Sequence, residues 1–368
     1  VKKIYFFLSN LNGGGAQRTV VNILNYINKK EFDCKLVLLD YTEEQAYAGL
    51  LKEDIEIINL KKRAREAILP IYRLLKKENP DILFSTLPQV NFAVTAAHTM
   101  SRSKAKLVLR ESNHRGTLNS DKKNLLFTKM VYRRADSIVA LSKGVARDIK
   151  DSYKISENKI VTVYNPVDVD LITSLKKEGS FIKEKNNNSE KLVITACGRL
   201  TEQKNFDLLI DSLSELSKYK PQFALYILGE GELESHLRSK ICVAGLEKNI
   251  VLLGFQENPY KYLADSDLFV LTSLWEGFGH VLVEAMASGT PVISTDCPHG
   301  PSEIISDKVG WLISNNSKEE LVKLLKAIVL DKKLLKDKES ELYEHAYKFK
   351  ASNIVKSYEK LFGTVADS

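Results

Sequence analysis

The sequence predicts an α/β protein of two domains, each a parallel sheet wrapped in helices, and three observations lead there. At 368 residues, 44% of them hydrophobic, the chain exceeds what one ordinary core organises and suits two domains of roughly 150–200 residues. Short apolar runs alternate with segments of helical period in both halves, the pattern of βαβ units. The alternation fails once, between Asp170 and Glu190, where Lys-Glu-Gly-Ser and Lys-Asn-Asn-Asn-Ser offer nothing to a core.

Taken in order, Lys3–Leu8, Cys34–Leu39, Ile55–Ile58, Ile82–Ser85, Lys106–Leu109, Ser137–Leu141 and Ile160–Val163 read as buried strands of the first half. The run from Val20 to Ile27 carries apolar residues at helical spacing. The second half repeats the design, with strands at Lys191–Ala196, Phe223–Leu228, Ile250–Leu253, Leu268–Leu271 and Pro291–Ser294, and helices from Asn205, Glu232, Tyr260, His280, Glu303 and Ser317. From about Lys333 to Phe362 the pattern is helical and highly charged. Expected domains are therefore 1–170 and 171–345, followed by a helical tail at 346–368 that could return to the first domain.

Composition narrows the function classes. The opening apolar run stops at Ser9-Asn10, short of the roughly 7–15 residues of an export signal, and reads as a buried first strand. No stretch approaches the ~18 apolar residues of a membrane span, so membrane contact is expected to be peripheral and the location cytoplasmic. Cys34, Cys197, Cys242 and Cys297 lie far apart without a Cys-x-x-Cys pair, the pattern of reduced thiols. With no His-Glu-x-x-His spacing either, a tightly bound metal is not expected. Charge is uneven: residues 1–170 hold 29 Lys and Arg against 19 Asp and Glu, whereas the remainder holds 25 against 28. Ten basic residues lie between Arg102 and Arg134 with only Glu111 and Asp121 among them. A solvated helix face accounts for such a run, as does a surface for anionic lipid or a phosphorylated acceptor. No nucleic-acid motif accompanies it, and nucleic acid is not an expected partner.

The chemistry concentrates in Leu271–Val292. A strand ends at Thr272, the loop Trp275-Glu276-Gly277-Phe278-Gly279 follows, a helix runs from His280 to a Gly289 stop, and a strand begins at Pro291. That loop falls at the carboxyl end of a strand, where open α/β sheets bind ligands. Gly277 and Gly279 admit close backbone approach, and the helix behind them aims free N–H groups at an anion such as a diphosphate. Glu276 is placed to reach a sugar beside that phosphate, and Glu284, further into the helix, to accept ribose hydroxyls. The plainer reading makes Glu276 a helix cap and Glu284 a solvated residue.

A second constellation, Gly198-Arg199-Leu200-Thr201-Glu202-Gln203-Lys204-Asn205, follows the strand Lys191–Ala196. Its glycine permits a turn, Arg199 and Lys204 can converge on one phosphate, and Asn205 can cap the next helix. A third, Asn12-Gly13-Gly14-Gly15-Ala16-Gln17-Arg18, opens the first helix; Arg18 occupies the last position of Gly-x-Gly-x-x-Gly and weakens a dinucleotide reading.

The segment around Glu276 and Glu284 resembles the Glu-x7-Glu signature of the retaining glycosyltransferases of family four, the group 1 glycosyl transferases, and the resemblance extends over most of the chain. It implies the GT-B fold, two Rossmann-like domains facing a central cleft. It implies an enzyme that moves a sugar, an N-acetylhexosamine by closest likeness, from a UDP-sugar to a lipid-linked or soluble glycan acceptor, with no cofactor beyond the donor substrate. Arg199 and Lys204 would neutralise the leaving diphosphate and Glu276 would attend the sugar. Donor binding would fall to Gly15, Gly198, Phe255, Gly277, Phe278, Gly279, His280 and Glu284. Many relatives have a histidine just after the strand matching Lys106–Leu109. Here the residues are Arg110-Glu111-Ser112-Asn113-His114, so Arg18, Arg110, Asn113 and His114 are the acceptor-side candidates. Three alternatives stay open: a UDP-sugar epimerase of the same architecture, a non-catalytic sugar-nucleotide-binding subunit, and the weakened NAD oxidoreductase.

Overall fold

A computed structural model describes residues 1–111, 122–182, 191–219 and 222–367. The chain divides into two compact units, one of Val1–Val167 with Lys350–Ser368 and the other of Asp168–Phe349.

The first unit is built on a seven-stranded parallel sheet: β1 (Lys2–Leu8), β2 (Phe32–Leu38), β3 (Glu56–Asn59), β4 (Ile82–Thr86), β5 (Lys106–Glu111), β6 (Ser137–Ala140) and β7 (Ile160–Thr162). Their spatial order is β3-β2-β1-β4-β5-β6-β7, so the chain reverses direction across the sheet between β1 and β4. The all-apolar runs in β1 and β4 are buried on both faces, as a helix-covered parallel sheet requires. The helix Ala351–Asp367, from the far end of the chain, completes this core with Ile354, Val355, Tyr358, Leu361, Phe362 and Val365. The Phe362 ring meets Phe6, Phe84 and Phe32 at centroid distances of 5.9, 5.7 and 6.3 Å in near-perpendicular contacts, the geometry aromatic quadrupoles favour.

The second unit holds a six-stranded parallel sheet of β8 (Leu192–Cys197), β9 (Phe223–Leu228), β10 (Ile250–Gly254), β11 (Leu268–Leu271), β12 (Val292–Asp296) and β13 (Gly310–Ser314), in the order β10-β9-β8-β11-β12-β13. Its reversal falls between β8 and β11. β13 has no counterpart among the strands expected from sequence: it is an edge strand, half-buried at Trp311 and exposed at Leu312 and Ser314, with only three apolar residues between Gly310 and Ser314.

The polar stretch after Asp170 is not a boundary as far as it is described. Val169–Leu175 is helical, Lys176 Nζ donates to the carbonyls of Ala287 and Ser288 at 3.2 and 3.3 Å, and Ile182 is fully buried among Val193, Ala224, Tyr226, Leu228 and Tyr262. The units therefore part at Val167 and Asp168, and again at Phe349 and Lys350, rather than at residues 170 and 345. Among the described residues, no helix is long and apolar enough to cross a membrane.

Candidate active site at the carboxyl edge of the second sheet

The two loops singled out in the second half leave β8 and β11, the strands that flank the reversal of this sheet, and hydrogen bonds lock them side by side. Thr272 Oγ1 donates to the carbonyls of Lys204 and Asn205 at 3.1 and 3.0 Å. The Leu274 amide donates to the Gln203 carbonyl at 2.8 Å, and Gln203 Nε2 to the Trp275 carbonyl at 2.9 Å. Thr295 Oγ1 reaches over from β12 to the Ser273 carbonyl at 2.6 Å. Lys204 and Glu276, distant in sequence, thus sit on a backbone that cannot separate them cheaply.

Their side chains meet. Lys204 Nζ lies 2.5 Å from Glu276 Oε1, with the two side chains 15% and 9% exposed. Ser273 Oγ, fully buried, donates to the same oxygen at 2.7 Å. Both contacts converge on Oε1, and Oε2 has no hydrogen-bond partner among the described residues. The carboxylate is oriented from one side and available from the other, an arrangement fit to accept a hydroxyl. Burial, then the nearby Glu276 charge, pushes the Cys297 thiol up to about 12, so it stays neutral and inert at ordinary pH.

Glycines let the backbone crowd here. A Cβ on Gly229 would stand 2.1 Å from the Gly198 carbonyl oxygen, and one on Gly300, at φ 96°, would stand 2.2 Å from that of Phe278. Any side chain at either place would push the β8 or β11 loop out of position. Gly279, at φ 99°, opens the helix His280–Ser288 with no side-chain cap, and Gly289, at φ 98°, ends it. An uncapped helix start on the loop that carries Glu276 is suited to an anion.

The structure departs from expectation at several residues. Asn205 adopts a left-handed conformation at φ 47° and gives its side chain to Asn316 at 3.0 Å instead of capping the following helix. Glu276 pairs with Lys204 and caps nothing. Arg199 is exposed and its side chain makes no hydrogen bond or ion pair among the described residues. The Phe278 ring is buried against Phe349 and His280, at centroid distances of 5.4 and 5.6 Å, so only its backbone can face a ligand. Phe255 is 57% exposed, its amide donating to Glu230 at 3.3 Å, which leaves the ring open for stacking. Gly198 packs against the Lys204 side chain, Gly277 is buried in the loop, and Glu284 is half-buried. Sequence reasoning missed Ser273 and Thr272; the polar Thr-Ser pair closing an apolar strand was the available signal.

The remaining candidates belong to the first unit. Gly15 begins the helix Gly15–Tyr26 after Gly13 and Gly14, both at positive φ. Arg18 is half-buried, its guanidinium carbon 4.5 Å from the centroid of the Tyr47 ring. Arg110 corrects the acceptor-side reading: it is 1% exposed and donates to Asn165 at 2.5 Å, Thr86 at 3.2 Å and Thr19 at 3.4 Å. Beside it, burial raises the Tyr358 phenol and the guanidinium partly offsets that. A side chain so enclosed holds β5 to its neighbours and presents nothing to solvent. Asn113 and His114 lie outside the described residues.

Comparison with known proteins agrees with this geometry. Residues 178–349 match the family model for glycosyl transferases group 1, and residues 13–171 that for glycosyltransferase family 4. The chain is 29% identical, over 98% of its length and 97% of the relative's, to the N-acetylgalactosamine-N,N'-diacetylbacillosaminyl-diphospho-undecaprenol 4-alpha-N-acetylgalactosaminyltransferase of Campylobacter jejuni. It is 32% identical to an uncharacterised glycosyltransferase of Methanocaldococcus jannaschii over 66% of this chain and 63% of that one. Among solved structures, Anabaena HepE in complex with UDP superposes with a TM-score of 0.83 over 99% of this chain and all of its own, at 19% identity. The chain therefore belongs to the group 1 glycosyltransferases, has their two-domain GT-B fold and is a glycosyltransferase.

Proposed function

We infer that this enzyme transfers an N-acetylhexosamine from a UDP-sugar to a polyprenyl-diphosphate-linked saccharide, with retention at the anomeric carbon. The observation that carries the reading is the buried contact of Lys204 with Glu276 beside an uncapped helix start. A diphosphate outcompetes one carboxylate for an ammonium, so donor binding would draw Lys204 onto the leaving group, with Arg199 swinging in from solvent. Glu276, still held by Ser273, would then face the hexose.

In the transfer step the bond from the anomeric carbon to the β-phosphate oxygen breaks and its electron pair stays with UDP. The acceptor oxygen bonds the same face of that carbon and its proton passes to the departing phosphate oxygen. Lys204, Arg199 and the amides at Gly279 and His280 would stabilise the growing charge, which is electrostatic catalysis by preorganised donors. The carrier-linked acceptor is favoured by the Campylobacter relative, whose name specifies one, and the UDP donor by the UDP complex of HepE. The basic stretch Arg102–Arg134 suits peripheral contact with an anionic bilayer.

A panel of UDP-sugars assayed for UDP release, with and without lipid-linked saccharides, tests the reading, and NMR of the product assigns the anomer. Acceptor-dependent release with UDP-N-acetylhexosamine and an α-linked product is expected. Acceptor-independent conversion of the donor to its epimer would replace the transferase reading.

A further inference from the structure

Because the Phe278 ring is buried, it can act on a ligand only through the backbone it anchors. It packs on Phe349, with centroids 5.4 Å apart and planes at 69°, and Phe349 in turn packs on His345 at 6.4 Å. His345 lies on the helix Leu342–Tyr347, and its Nε2 reaches the Ile304 carbonyl oxygen at 2.5 Å, at the end of the helix Pro301–Ile304. That second helix returns twice to the starting point. Gly300, just before it, leaves no room for a Cβ against the Phe278 carbonyl, and Ile304 Cδ1 would stand 3.8 Å from a Cβ on Gly279. Phe278, Phe349, His345 and Ile304 thus close a circuit of contacts around the backbone of residues 278–280, all of it within the second unit.

Each link has a physical reason. Gly277 and Gly279 flank Phe278, so little in the loop's own backbone fixes its path, and the order must come from what the Phe278 ring is packed against. Pro301–Ile304 is a single helical turn, too short to hold itself, and its last carbonyls lack partners inside the helix. A carbonyl takes only a donor, so the proton of a neutral His345 sits on Nε2, while Nδ1 faces the Lys348 ammonium at 3.4 Å. Burial keeps the His345 pKa below the usual histidine value and favours that neutral form, although the Ile304 bond opposes it. An aliphatic side chain would fill the same space; the imidazole adds direction to packing and fixes where the turn ends.

We propose that His345 and Phe349 are positioning residues for the transfer: through Phe278 and Ile304 they hold the Gly279 and His280 amides where the second phosphate of the donor binds. Neither touches substrate. The proposal rests on the diphosphate site inferred above and names the residues that set its geometry. Its consequence is selective: loosening the circuit weakens the hold on the second phosphate and leaves the nucleoside end of the donor as it was.

Isothermal titration of the full chain with UDP and with UMP reads that selectivity, since the two ligands differ only in the second phosphate. The wild type should prefer UDP. His345→Leu, which keeps the bulk and removes the donor, should cut that preference about tenfold, and Phe349→Leu about fivefold, the scale of a small misplacement of aligned groups. UMP affinity should stay within about twofold of wild type in both, as expected where the nucleoside contacts are untouched. His345→Gln, which can present an Nε2–H to the same carbonyl, should recover most of the preference, and thermal melts check that each variant folds. Equal loss of UDP and UMP affinity would mark a merely structural contribution and overturn the role, as would no recovery in His345→Gln. The two readings fail differently. A wild-type preference for UDP that both leucine variants keep would remove the positioning role and leave the proposed function; a wild type that binds UMP as tightly as UDP would remove the diphosphate site and the positioning role with it.

Discussion

The two units repeat one topology and put different chemistry at the same point of it. In each, three strands run one way across the sheet before the chain returns past the first, and loops collect outside the carboxyl ends at that reversal. The second unit fills the place with a finished constellation: Lys204, Glu276 and Ser273 in mutual contact, on loops bonded to one another and threaded through glycines that admit no side chain. The first leaves it open, with unpaired cations and aromatic surface around two cavities, and buries Arg110, its best-placed cation, among Thr19, Thr86 and Asn165. A group common to every donor, the diphosphate, rewards preorganised charge. A larger acceptor would reward an open surface, so two similar scaffolds diverge by what their loops carry rather than by how they fold.

The units also differ in continuity, and the largest expected effect probes that. The second is one uninterrupted segment; the first needs the last helix of the chain. Phe362→Ala removes a fully buried ring from among Phe6, Phe32 and Phe84, and should destabilise the first unit by about 3–5 kcal/mol. Hydrogen exchange read strand by strand should show β1 and β4 losing protection while β8 and β11 keep theirs. Equal loss in both sheets would mean that the units do not unfold separately.

Next in size is the charged cluster. Lys204→Ala should lower turnover by roughly 10²–10³-fold, the scale for losing one preorganised stabiliser of transition-state charge, and should weaken UDP binding as well. Steady-state kinetics and UDP titration check both. Ser273→Ala should cost less, about tenfold in kcat with UDP affinity nearly intact, because it frees a carboxylate to rotate without removing a charge. Partial recovery in Ser273→Thr would distinguish orientation of Glu276 from mere packing. A smaller effect separates the surfaces: binding to anionic liposomes should occur at low salt and fade as the Debye length falls from about 10 Å at 0.1 M to about 3 Å at 1 M. Cosedimentation that ignores salt would remove the basic stretch from that role. Smallest of all, alkylation with iodoacetamide near pH 8 should label exposed Cys242 well before Cys297 and Cys34, whose thiols burial pushes up to about 12.

Much of this was readable beforehand where local signals are dense. The apolar runs that became β1, β4, β8 and β11 are unbroken because both faces of a parallel sheet are covered, and the glycines around Glu276 announce a loop that must approach something closely. What escaped depends on distance in sequence. Neither Lys204 nor Glu276 declares in its own neighbourhood that they will touch; Thr272 and Gln203 bring that about by bonding across separate loops. Arg110 looked available because it follows the expected strand Lys106–Leu109, but β5 runs on to Glu111 and the Arg110 side chain turns toward Thr19 and Asn165, partners supplied by segments far along the chain. β13 escaped because an edge strand needs apolar residues on one face only.

The most direct test is a crystal structure with UDP bound. The diphosphate should lie within hydrogen-bond distance of Lys204 Nζ and the amides at Gly279 and His280, with Arg199 drawn in from solvent and the Glu276 carboxylate kept in place by Ser273 Oγ. UDP seated elsewhere, with Lys204 and Glu276 still paired and undisturbed, would contradict the account.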